Sequence, residues 1–588
     1  MDSINSFKGY GKVDEAEQAA FKRKTRKRLI IVGVSIVVLL AIVIGAVTAV
    51  LIHRKSDSSP NNVPPTQVTP AASLRTVCRV TQYPNSCYSS ISSMANSNTT
   101  DPEILFKLSL QVAIDELSKL SEYPRKLQAE ANNTQLKSAL EVCVNLFEDA
   151  LDRLNDSATT LEVGQGENLL TTSKIDDLET WLSSTLTDQE TCVDALQELN
   201  ETEHFNATVF EEVKAAMQNS TEYASNSLAI VTKILSLLTG FKIPIHRRLL
   251  GFPRADSDSE FPGWVSPTER RLLQESKPTP NVVVAKDGSG QFLTINDAVK
   301  LIGKKNLTRF VIYVKAGTYV ENVILDKNKW NVMIYGDGKD KTIISGSLNF
   351  IDGTPTFATA TFAVAGKGFI AKDIGFVNSA GAAKHQAVAM RSGSDQSVFY
   401  RCKFDAFQDT LYAHSNRQFY RECDILGTID FIFGNAAVVF QNCNIMPRQP
   451  LPNQFNTITA QGKKDPNQNT GISIQKCSIT AFGNLTANTY LGRPWKDFST
   501  TVIMQSSIGA FLNPVGWREW VTNVDPPSSI FYGEYLNTGP GSTVDKRVKW
   551  AGYRSTLSDV EAGKFTVETF LQGQDWLPEA TVSYEPTL

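Results

Sequence analysis

The chain has 588 residues, which is too long for a single hydrophobic core, so several domains are expected. Hydrophobic residues make up 41% and charged residues 20%, a balance typical of folded proteins that excludes wholesale disorder. The net charge of −3 conceals unlike halves: residues 56–245 carry 12 basic and 26 acidic side chains, and residues 274–588 carry 31 and 27. An acidic first half and a mildly basic second half could attract each other, and the basic half would tolerate a polyanionic ligand. Charged surfaces that only face solvent would give the same counts.

The N-terminus has the pattern of a signal anchor. Residues 29–52 are 24 residues without a charge, which is enough to span the hydrocarbon core of a membrane. Six basic residues between positions 22 and 28 predict that residues 1–28 form a cytoplasmic tail and that the remaining chain is lumenal. A cleaved signal peptide is the alternative, but the apolar run is long for one and no clear small-residue cleavage site follows it.

The chain beyond this segment has features of the secretory route. All eight cysteines lie beyond it, as expected for an oxidising compartment. Residues 53–73 are rich in Ser, Pro, Asn and Thr and are predicted to be a linker. N-glycosylation is predicted at the Asn-x-Ser/Thr sequons Asn98, Asn132, Asn155, Asn200, Asn206, Asn219, Asn306 and Asn484.

Residues 74–238 have the period of amphipathic helices. Apolar side chains recur at steps of three and four through residues 104–120, and similar stripes occupy 136–154, 175–199 and 209–237. Short polar breaks separate the stripes, so we predict an all-α four-helix bundle with antiparallel neighbours. Nothing in this segment offers a convergent catalytic set.

A second linker is predicted at residues 239–275, where prolines recur. The tetrapeptide Arg-Arg-Leu-Leu occurs twice in it. A dibasic pair in an exposed lumenal linker is a candidate protease site, and the duplication makes this interpretation stronger. The predicted processing residues are Arg247, Arg248, Leu249, Leu250, Arg270, Arg271, Leu272 and Leu273.

From residue 276 onward the helical period disappears, and short β-branched strands alternate with Gly, Asp and Asn turns. The repeat Phe-Tyr-Arg-Cys, Phe-Tyr-Arg-Glu-Cys, Phe-Gln-Asn-Cys and Ile-Gln-Lys-Cys ends at Cys402, Cys423, Cys443 and Cys477. Intervals near twenty residues indicate a solenoid in which inward side chains stack on their equivalents in neighbouring coils. A sandwich would also give short strands, but not the same residues in phase. We predict an all-β right-handed parallel β-helix for residues 276–588.

Two aspartates occupy equivalent places in this repeat. Asp409 and Asp430 are 21 residues apart, as are Cys402 and Cys423. Adjacent coils lie about 4.8 Å apart, so the carboxylates should be neighbours, one ionised and one protonated. Ordinary turn aspartates are the alternative, but Asp430 lies inside an apolar strand, where a charge is costly unless it has partners or a function. The spacing therefore predicts a catalytic pair of carboxylates.

The blocks around this pair resemble those of plant pectin methylesterases. The blocks are Gln408-Asp-Thr-Leu-Tyr412, Gly427-Thr-Ile-Asp-Phe-Ile-Phe-Gly434, Leu491-Gly-Arg-Pro-Trp495, Gly317–Glu321 and His385–Ala389. The helical segment resembles the pectin methylesterase inhibitor domain in its four cysteines and in the stretch from Trp181 to Cys192. The resemblance implies hydrolysis of the C6 methyl esters of polygalacturonate, with release of methanol.

The resemblance also implies roles for individual residues. Asp430 is expected to be the nucleophile and Asp409 the acid and then the base. Gln408 and Gln386 are expected to hold the oxyanion, and Arg493 to pair with the nucleophile. The full expected sets are catalytic Asp409, Asp430, Gln408 and Arg493, and substrate-binding Thr356, Gln386, Tyr412, Phe433, Arg493, Trp495 and Trp517. The implied disulfides are Cys78–Cys87, Cys143–Cys192 and Cys423–Cys443, with Cys402 and Cys477 as stacked thiols.

Partners and location follow from the same resemblance. Methyl-esterified homogalacturonan is the expected substrate, and the inhibitor-like domain is expected to silence or retain the enzyme until a subtilisin-like protease cuts the linker. The precursor would be membrane-anchored in the secretory pathway and the mature enzyme would lie in the cell wall. No cofactor, metal site or nucleic-acid partner is expected, because the sequence has no His cluster and no Cys-x-x-Cys motif.

Two alternatives of different classes remain open at this point. A glycoside hydrolase on the same fold can also hold two carboxylates about 5 Å apart. A non-enzymatic precursor, in which the inhibitor-like domain is the functional part, would keep the same domain order. A serine esterase is not supported, because the sequence lacks a Gly-x-Ser-x-Gly elbow.

Overall fold

The structure is a computed structural model that describes residues 69–162, 171–200, 207–236, 278–580 and 582–588. The predicted cytoplasmic tail, membrane anchor, most of the first linker and the whole processing linker lie outside these residues. None of the helices in the described ranges is long and apolar enough to cross a membrane. Residues 69–588 form one compact unit in which the helical domain contacts the β-helix.

The predicted helical domain is confirmed. Its described residues form two short helices, α1 (Pro70–Arg79) and α2 (Pro84–Ser92), followed by four long ones. The long helices are α3 (Pro102–Glu130), α4 (Thr134–Thr160), α5 (Thr172–Asn200) and α6 (Ala207–Ile230), which continues as a π-helical turn at Val231–Leu235. Their apolar stripes share one core, as the three- and four-residue steps predict.

The helical domain begins earlier than predicted and contains the expected disulfides. Helix α1 begins at Pro70, inside the predicted linker, because the Thr69 side chain accepts a hydrogen bond from the backbone of Ala72 and proline suits the first helical position. Among the described residues, disulfides join α1 to α2 and α4 to α5, and they are Cys78–Cys87 and Cys143–Cys192.

The residues from 278 onward form a parallel β-helix. Its strands are β1 (Val282–Val284), β2 (Phe310–Val314), β3 (Gly317–Val320), β4 (Val323–Leu325), β5 (Val332–Tyr335), β6 (Thr342–Gly346), β7 (Phe362–Val364), β8 (Ile370–Lys372), β9 (Gly375–Asn378), β10 (Met390–Ser392), β11 (Ser397–Tyr400), β12 (Lys403–Asp405), β13 (Leu411–Ala413), β14 (Arg417–Arg421), β15 (Asp424–Gly427), β16 (Ile432–Gly434), β17 (Ala437–Gln441), β18 (Asn444–Pro447), β19 (Asn456–Gln461), β20 (Gly471–Gln475), β21 (Ser478–Ile479), β22 (Thr489–Gly492), β23 (Thr500–Met504), β24 (Ser507–Ile508), β25 (Phe531–Tyr535) and β26 (Tyr553–Arg554). Short helices at Ile295–Val299, Asp559–Gly563 and Val567–Leu571 accompany them.

These strands pair in three parallel sheets along the described coils. Sheet A has the order β1-β2-β5-β8-β11-β14-β17-β20-β23-β25-β26, sheet B the order β24-β21-β18-β15-β12-β9-β6-β3, and sheet C the order β22-β19-β16-β13-β10-β7-β4. Every strand therefore lies beside its equivalent in the next coil, which is the arrangement that the repeat predicts.

The repeat in the sequence is explained by stacking inside the coils. Phe399 of β11 and Tyr420 of β14 are partners in register, 21 residues apart, with ring centroids 4.5 Å apart. Phe440 of β17 stacks on Tyr420 at 4.7 Å. Both rings of the first pair are fully buried. An inward aromatic position thus recurs because each ring covers the one in the neighbouring coil.

The predicted disulfide Cys423–Cys443 is wrong. Both cysteines are free and buried, as are Cys402 and Cys477. Each of them lies two residues after an equivalent strand of sheet A. Cys423 Sγ donates to the carbonyl oxygen of Phe399 at 3.3 Å, and Cys443 Sγ donates to that of Tyr420 at 3.5 Å, so each thiol contacts the backbone of the neighbouring coil. The four thiols form a column of buried side chains.

The predicted glycosylation sites lie mostly on the surface. The asparagines with exposed side chains are Asn98, Asn132, Asn155, Asn219 and Asn484, and Asn306 is half-buried. The side chain of Asn200 and the whole of Asn206 lie outside the described residues. Glycosylation itself stays a prediction.

Candidate active site

Asp409 and Asp430 lie at equivalent positions of adjacent coils. Strands β13 and β16 pair with Leu411 opposite Ile432, and each aspartate comes two residues before its strand's first residue. The carboxylates therefore start from backbones about 4.8 Å apart, as the spacing of 21 predicts. Both aspartates adopt the left-handed backbone conformation, with φ of 63° and 52°. The same conformation recurs at other coil corners, such as Asp373 and Asn416, so it belongs to the turns of the β-helix.

Two glycines make room for the backbone around the second aspartate. A Cβ atom at Gly427 would lie 2.2 Å from Cβ of Phe431. Gly434 has φ of 121°, and a Cβ atom there would lie 2.1 Å from the carbonyl oxygen of Ala413. Only glycine fits either position, so close packing of neighbouring coils explains why this block begins and ends with glycine.

Asp430 is held by a cation and a hydroxyl. Arg493 Nε donates to Oδ1 and Oδ2 at 2.9 and 3.1 Å, and its Nη2 donates to Oδ2 at 2.5 Å. The Thr457 hydroxyl donates to Oδ1 at 2.5 Å and accepts from the Asp430 backbone N–H at 3.0 Å. The carboxylate is thus buried with its charge paired, in an orientation that the fork of the guanidinium fixes.

Asp409 has a different environment. Burial raises its pKa well above the usual value, and the charges of Asp430 and Glu198 raise it further, while Arg493 acts in the opposite direction. Asp409 is therefore the carboxyl of the pair whose protonated form its surroundings favour. The expectation is one ionised and one protonated carboxyl: the raised pKa of Asp409 agrees with the protonated member, and Arg493 pairs with the other aspartate.

Amides and aromatic rings surround the aspartates. Gln386 and Gln408 form a parallel bridge between adjacent coils. The Gln386 Oε1 atom is buried and has no hydrogen-bond partner among the described residues. Tyr412 and Phe433 are partners in register, and their rings stack with centroids 4.1 Å apart. Trp495 lies 6.3 Å from Phe433 and extends this aromatic surface.

These side chains line a cavity of about 340 Å³. The β-helix contributes Thr356, Phe357, Gln386, Gln408, Asp409, Tyr412, Asp430, Phe433, Ala460, Arg493, Trp495, Lys496 and Trp520. Helix α5 contributes Thr191, Asp194, Ala195, Gln197 and Glu198. The structure thus brings together all the predicted catalytic and substrate-binding residues except Trp517.

The assignment of Trp517 to the substrate site is wrong. Its side chain is 1% exposed in the β-helix core, where Nε1 donates to Glu534 Oε1 at 3.2 Å. Trp520, three residues later, lines the cavity instead, stacked on Trp495 with the Arg493 guanidinium 4.1 Å from its ring centroid. Both tryptophans follow the last strand of sheet C, and outside a strand no alternation rule tells which of them points inward.

Helix α5 closes the cavity with polar contacts that sequence reasoning missed. The backbone N–H of Thr356 donates to Glu198 Oε2 at 3.0 Å. Lys496 Nζ donates to Glu190 Oε1 at 2.7 Å and also to Asp194. Glu190, Asp194 and Glu198 are spaced at i, i+4 and i+8, so they share one helix face. The spacing could have indicated an acidic helix face from the sequence, but it does not indicate what that face contacts.

The contact continues along the rest of α5 and reaches α6. It includes the pairs Asp177–Arg417, Trp181–Asp395, Ser183–Asn469, Ser184–Asn416, Thr187–Asn435, Thr191–His414 and Ser225–Asp465. Much of this contact uses the stretch from Trp181 to Cys192 that resembles the inhibitor domain. The outer apolar face of sheet C is covered as well, so Tyr412 and Phe433 are only 4% and 5% exposed.

Comparisons with known proteins agree with this geometry. The model of the Pectinesterase family matches residues 281–574, and that of the Plant invertase/pectin methylesterase inhibitor family matches residues 72–230. Pectinesterase 3 of Phaseolus vulgaris is 66% identical, with all of both chains covered, and Pectinesterase 1 of Arabidopsis thaliana is 62% identical, with 99% of both covered. The solved pectin methylesterase from carrot is 52% identical with a TM-score of 0.52, and the match covers 53% of this chain and 99% of the carrot chain. The chain therefore belongs to the pectinesterase family and carries an inhibitor-family domain ahead of its β-helix.

Proposed function

We propose that this pectinesterase cleaves the C6 methyl esters of pectin in two steps, with Asp430 as the nucleophile. A carboxylate oxygen of Asp430 attacks the ester carbonyl carbon, and Asp409 gives its proton to the departing methoxide, which leaves as methanol. The observation that carries this proposal is that the two aspartates differ: the buried Asp430 accepts hydrogen bonds from Arg493, and the neighbouring Asp409 has a raised pKa.

The second step restores the enzyme. Asp409, now a carboxylate, takes a proton from water, and the resulting hydroxide attacks the acyl group on Asp430. The bond to Asp430 breaks, the free galacturonic acid leaves, and Asp409 again holds the proton. Arg493 stays bound to the nucleophile through both steps and limits its rotation.

The oxyanion and the sugar rings have neutral partners. The amide N–H groups of Gln386 and Gln408, on adjacent coils of the cavity, suit an oxyanion that develops at the ester carbonyl. Tyr412, Phe433 and Trp495 offer ring faces for galacturonate units.

We further propose that the helical domain inhibits the enzyme in cis. Helix α5 places Asp194 and Glu198 in the same cavity as the aspartates, and the bundle covers the aromatic rings that the polymer would need. A polymeric substrate cannot reach the site in this arrangement. Cutting the predicted linker at Arg-Arg-Leu-Leu, by a subtilisin-like protease, would allow the bundle to leave. The membrane-anchored precursor and the cell-wall location of the mature enzyme belong to the same proposal.

The products distinguish this reaction from the two remaining alternatives. When residues 276–588 act on methyl-esterified pectin, we expect methanol to accumulate without new reducing ends, because only the ester bond is cleaved. Methanol measured by an oxidase-coupled assay and reducing ends measured on the same samples provide the test. Reducing ends without methanol would indicate a glycoside hydrolase. The absence of both products would support a non-enzymatic precursor.

Buried carboxyls at the contact predict that inhibition weakens as pH rises. Burial is the largest cause in each case: it raises the pKa of Asp149 and of Asp194 to about 6, and that of Asp188 well above its usual value. The charged groups that act on them are Lys327, Arg153, Arg391, Asp152, Lys496, Lys464 and Glu190, and His414 lies 4.0 Å from Asp188. Docked carboxyls with raised pKa values stabilise the closed state below about pH 4 and lose that contribution as pH rises through about 6.

Burial lowers the pKa of His414, so this one group acts in the opposite direction to the three carboxyls. Because the carboxyls outnumber it, the full chain should gain activity, relative to residues 276–588 at the same pH, between pH 5 and 7. Methanol release from the two proteins, measured across this range, gives the ratio directly. Glu190 does not oppose the trend in this window: burial raises its pKa, but Lys496 outweighs burial and lowers it, so its contribution is lost only in more acidic solution. Asp188→Asn keeps a neutral group in place and should flatten the ratio, and a ratio that falls with pH would contradict the prediction.

A further inference from the structure

Lys496 is a buried cation whose partners both belong to the helical domain. Its side chain is 12% exposed, and Nζ contacts Glu190 and Asp194 of α5. Burial lowers its pKa, but these carboxylates outweigh burial and raise it, so Lys496 carries its charge in the closed chain. Once the bundle leaves, the β-helix would keep this lysine at the wall of the catalytic cavity without those carboxylates.

The cavity offers no equivalent cation to a ligand. Among the described residues that line it, the cations are Arg493 and Lys496, and Arg493 is bound by the nucleophile. Lys496 Nζ also lies 5.1 Å from the ring centroid of Trp495. A charge beside a flat ring matches a galacturonate unit, which has an apolar sugar face and a carboxylate at C6. A methyl-esterified unit has the same face but no charge.

The acidic face of α5 shows that carboxylates fit this wall. Glu190, Asp194 and Glu198 rise about 6 Å per step along one helix face, and all three contact the cavity wall through Lys496 or the Thr356 backbone. A row of carboxylates at regular spacing is also what a de-esterified stretch of polygalacturonate presents. The helix and the polyanion thus offer the same chemistry to the same lysine.

We propose that Lys496 binds the free C6 carboxylate of an already de-esterified galacturonate unit, and that Glu190 and Asp194 occupy this site in the closed chain. Lys496 is then a specificity residue, not a catalytic one. It makes pectin that carries some free acid a better substrate than fully esterified pectin. This inference rests on the proposed function, because it places the free acid next to the ester that the aspartates cleave.

The test uses residues 276–588, which have a hydrophobic core of their own and correspond in extent to the solved carrot enzyme. Lys496→Gln should raise KM about tenfold on half-de-esterified pectin, since a hydrogen bond to a charged group is lost. KM and kcat on fully esterified pectin should stay within about twofold, which also shows that the variant is folded. Lys496→Arg should restore most of the preference.

Binding without turnover gives an independent measurement. By isothermal titration calorimetry, Lys496→Gln should weaken the Kd of unesterified hexagalacturonate about tenfold. Lys403→Gln is the matched control, because Lys403 is a half-buried lysine on β12 of sheet B, outside the catalytic cavity, 3.2 Å from Asp340. It removes the same charge and should change neither Kd nor the KM ratio.

The possible outcomes separate this inference from the proposed function. If Lys496→Gln and Lys403→Gln weaken the binding of hexagalacturonate equally, only general electrostatic attraction acts and the inference is wrong. If Lys496→Gln raises KM equally on both pectins, the lysine contacts the sugar regardless of its charge, and the inference is again wrong. In both cases methanol release by the wild type would leave the esterase mechanism standing. If the wild-type protein released no methanol, the esterase mechanism itself would be contradicted.

Discussion

Replacing Asp430 with Asn in residues 276–588 is expected to reduce methanol release at least about 10⁴-fold while the protein stays folded. The neutral amide is too weak a nucleophile to attack the ester, and the bidentate contact with Arg493 loses its charge. The rate of methanol release under saturating pectin measures the effect, and thermal unfolding reports the fold. Retained activity would remove Asp430 from the mechanism.

Asp373 provides a matched control for this substitution. It also has a left-handed backbone, with φ of 54°, and it also pairs with an arginine, since Arg401 Nε and Nη2 both contact its carboxylate at 2.7 Å. This pair lies at another corner of the coil, outside the cavity. Asp373→Asn should therefore cost at most about 1 kcal/mol of stability, as a partly exposed ion pair does, and leave kcat unchanged. A large loss of activity in both variants would indicate damage to the fold instead of lost chemistry.

The uncut full chain is expected to release methanol at least about 100-fold more slowly than residues 276–588 at pH 5. A hundredfold excess of the closed state requires about 2.7 kcal/mol, which a few charge-assisted hydrogen bonds at the α5 contact can supply. The two proteins are compared at equal molar concentration on the same pectin. Equal rates would contradict inhibition in cis.

Substitutions on α5 separate inhibition from slow diffusion of a larger protein. Glu190→Gln in the full chain should raise methanol release about tenfold, because Lys496 loses the carboxylate whose pKa it lowers. Glu211→Gln is the control: this side chain is exposed on α6, and the variant removes the same charge from the bundle. Equal activation by both variants would show that overall charge, not the α5 contact, holds the bundle.

Local sequence patterns were sufficient for much of this architecture. The steps of three and four residues predicted the helices, and the recurring strand ends predicted the coils, because both follow from periods that a backbone imposes on its own side chains. The separation of 21 residues placed Asp409 and Asp430 on adjacent coils for the same reason. Their roles, and those of Gln386, Gln408 and Arg493, came from the resemblance to the pectin methylesterases.

The remaining features depend on contacts between distant parts of the chain. Thr356 and Glu198 are 158 residues apart, and Lys496 and Asp194 are 302 apart, so no local period connects them. The choice between Trp517 and Trp520 depended on which ring the loop turns into the core.

The sequence by itself thus determined the two domain types and the aspartate pair, since these follow from repeats and local blocks. Only the tertiary structure decided that the cysteine column is unbridged and that α5 occupies the catalytic cavity. The physical reason is that the pairing of buried thiols and the docking of one domain on another are set by packing across the whole molecule, which a one-dimensional pattern does not encode.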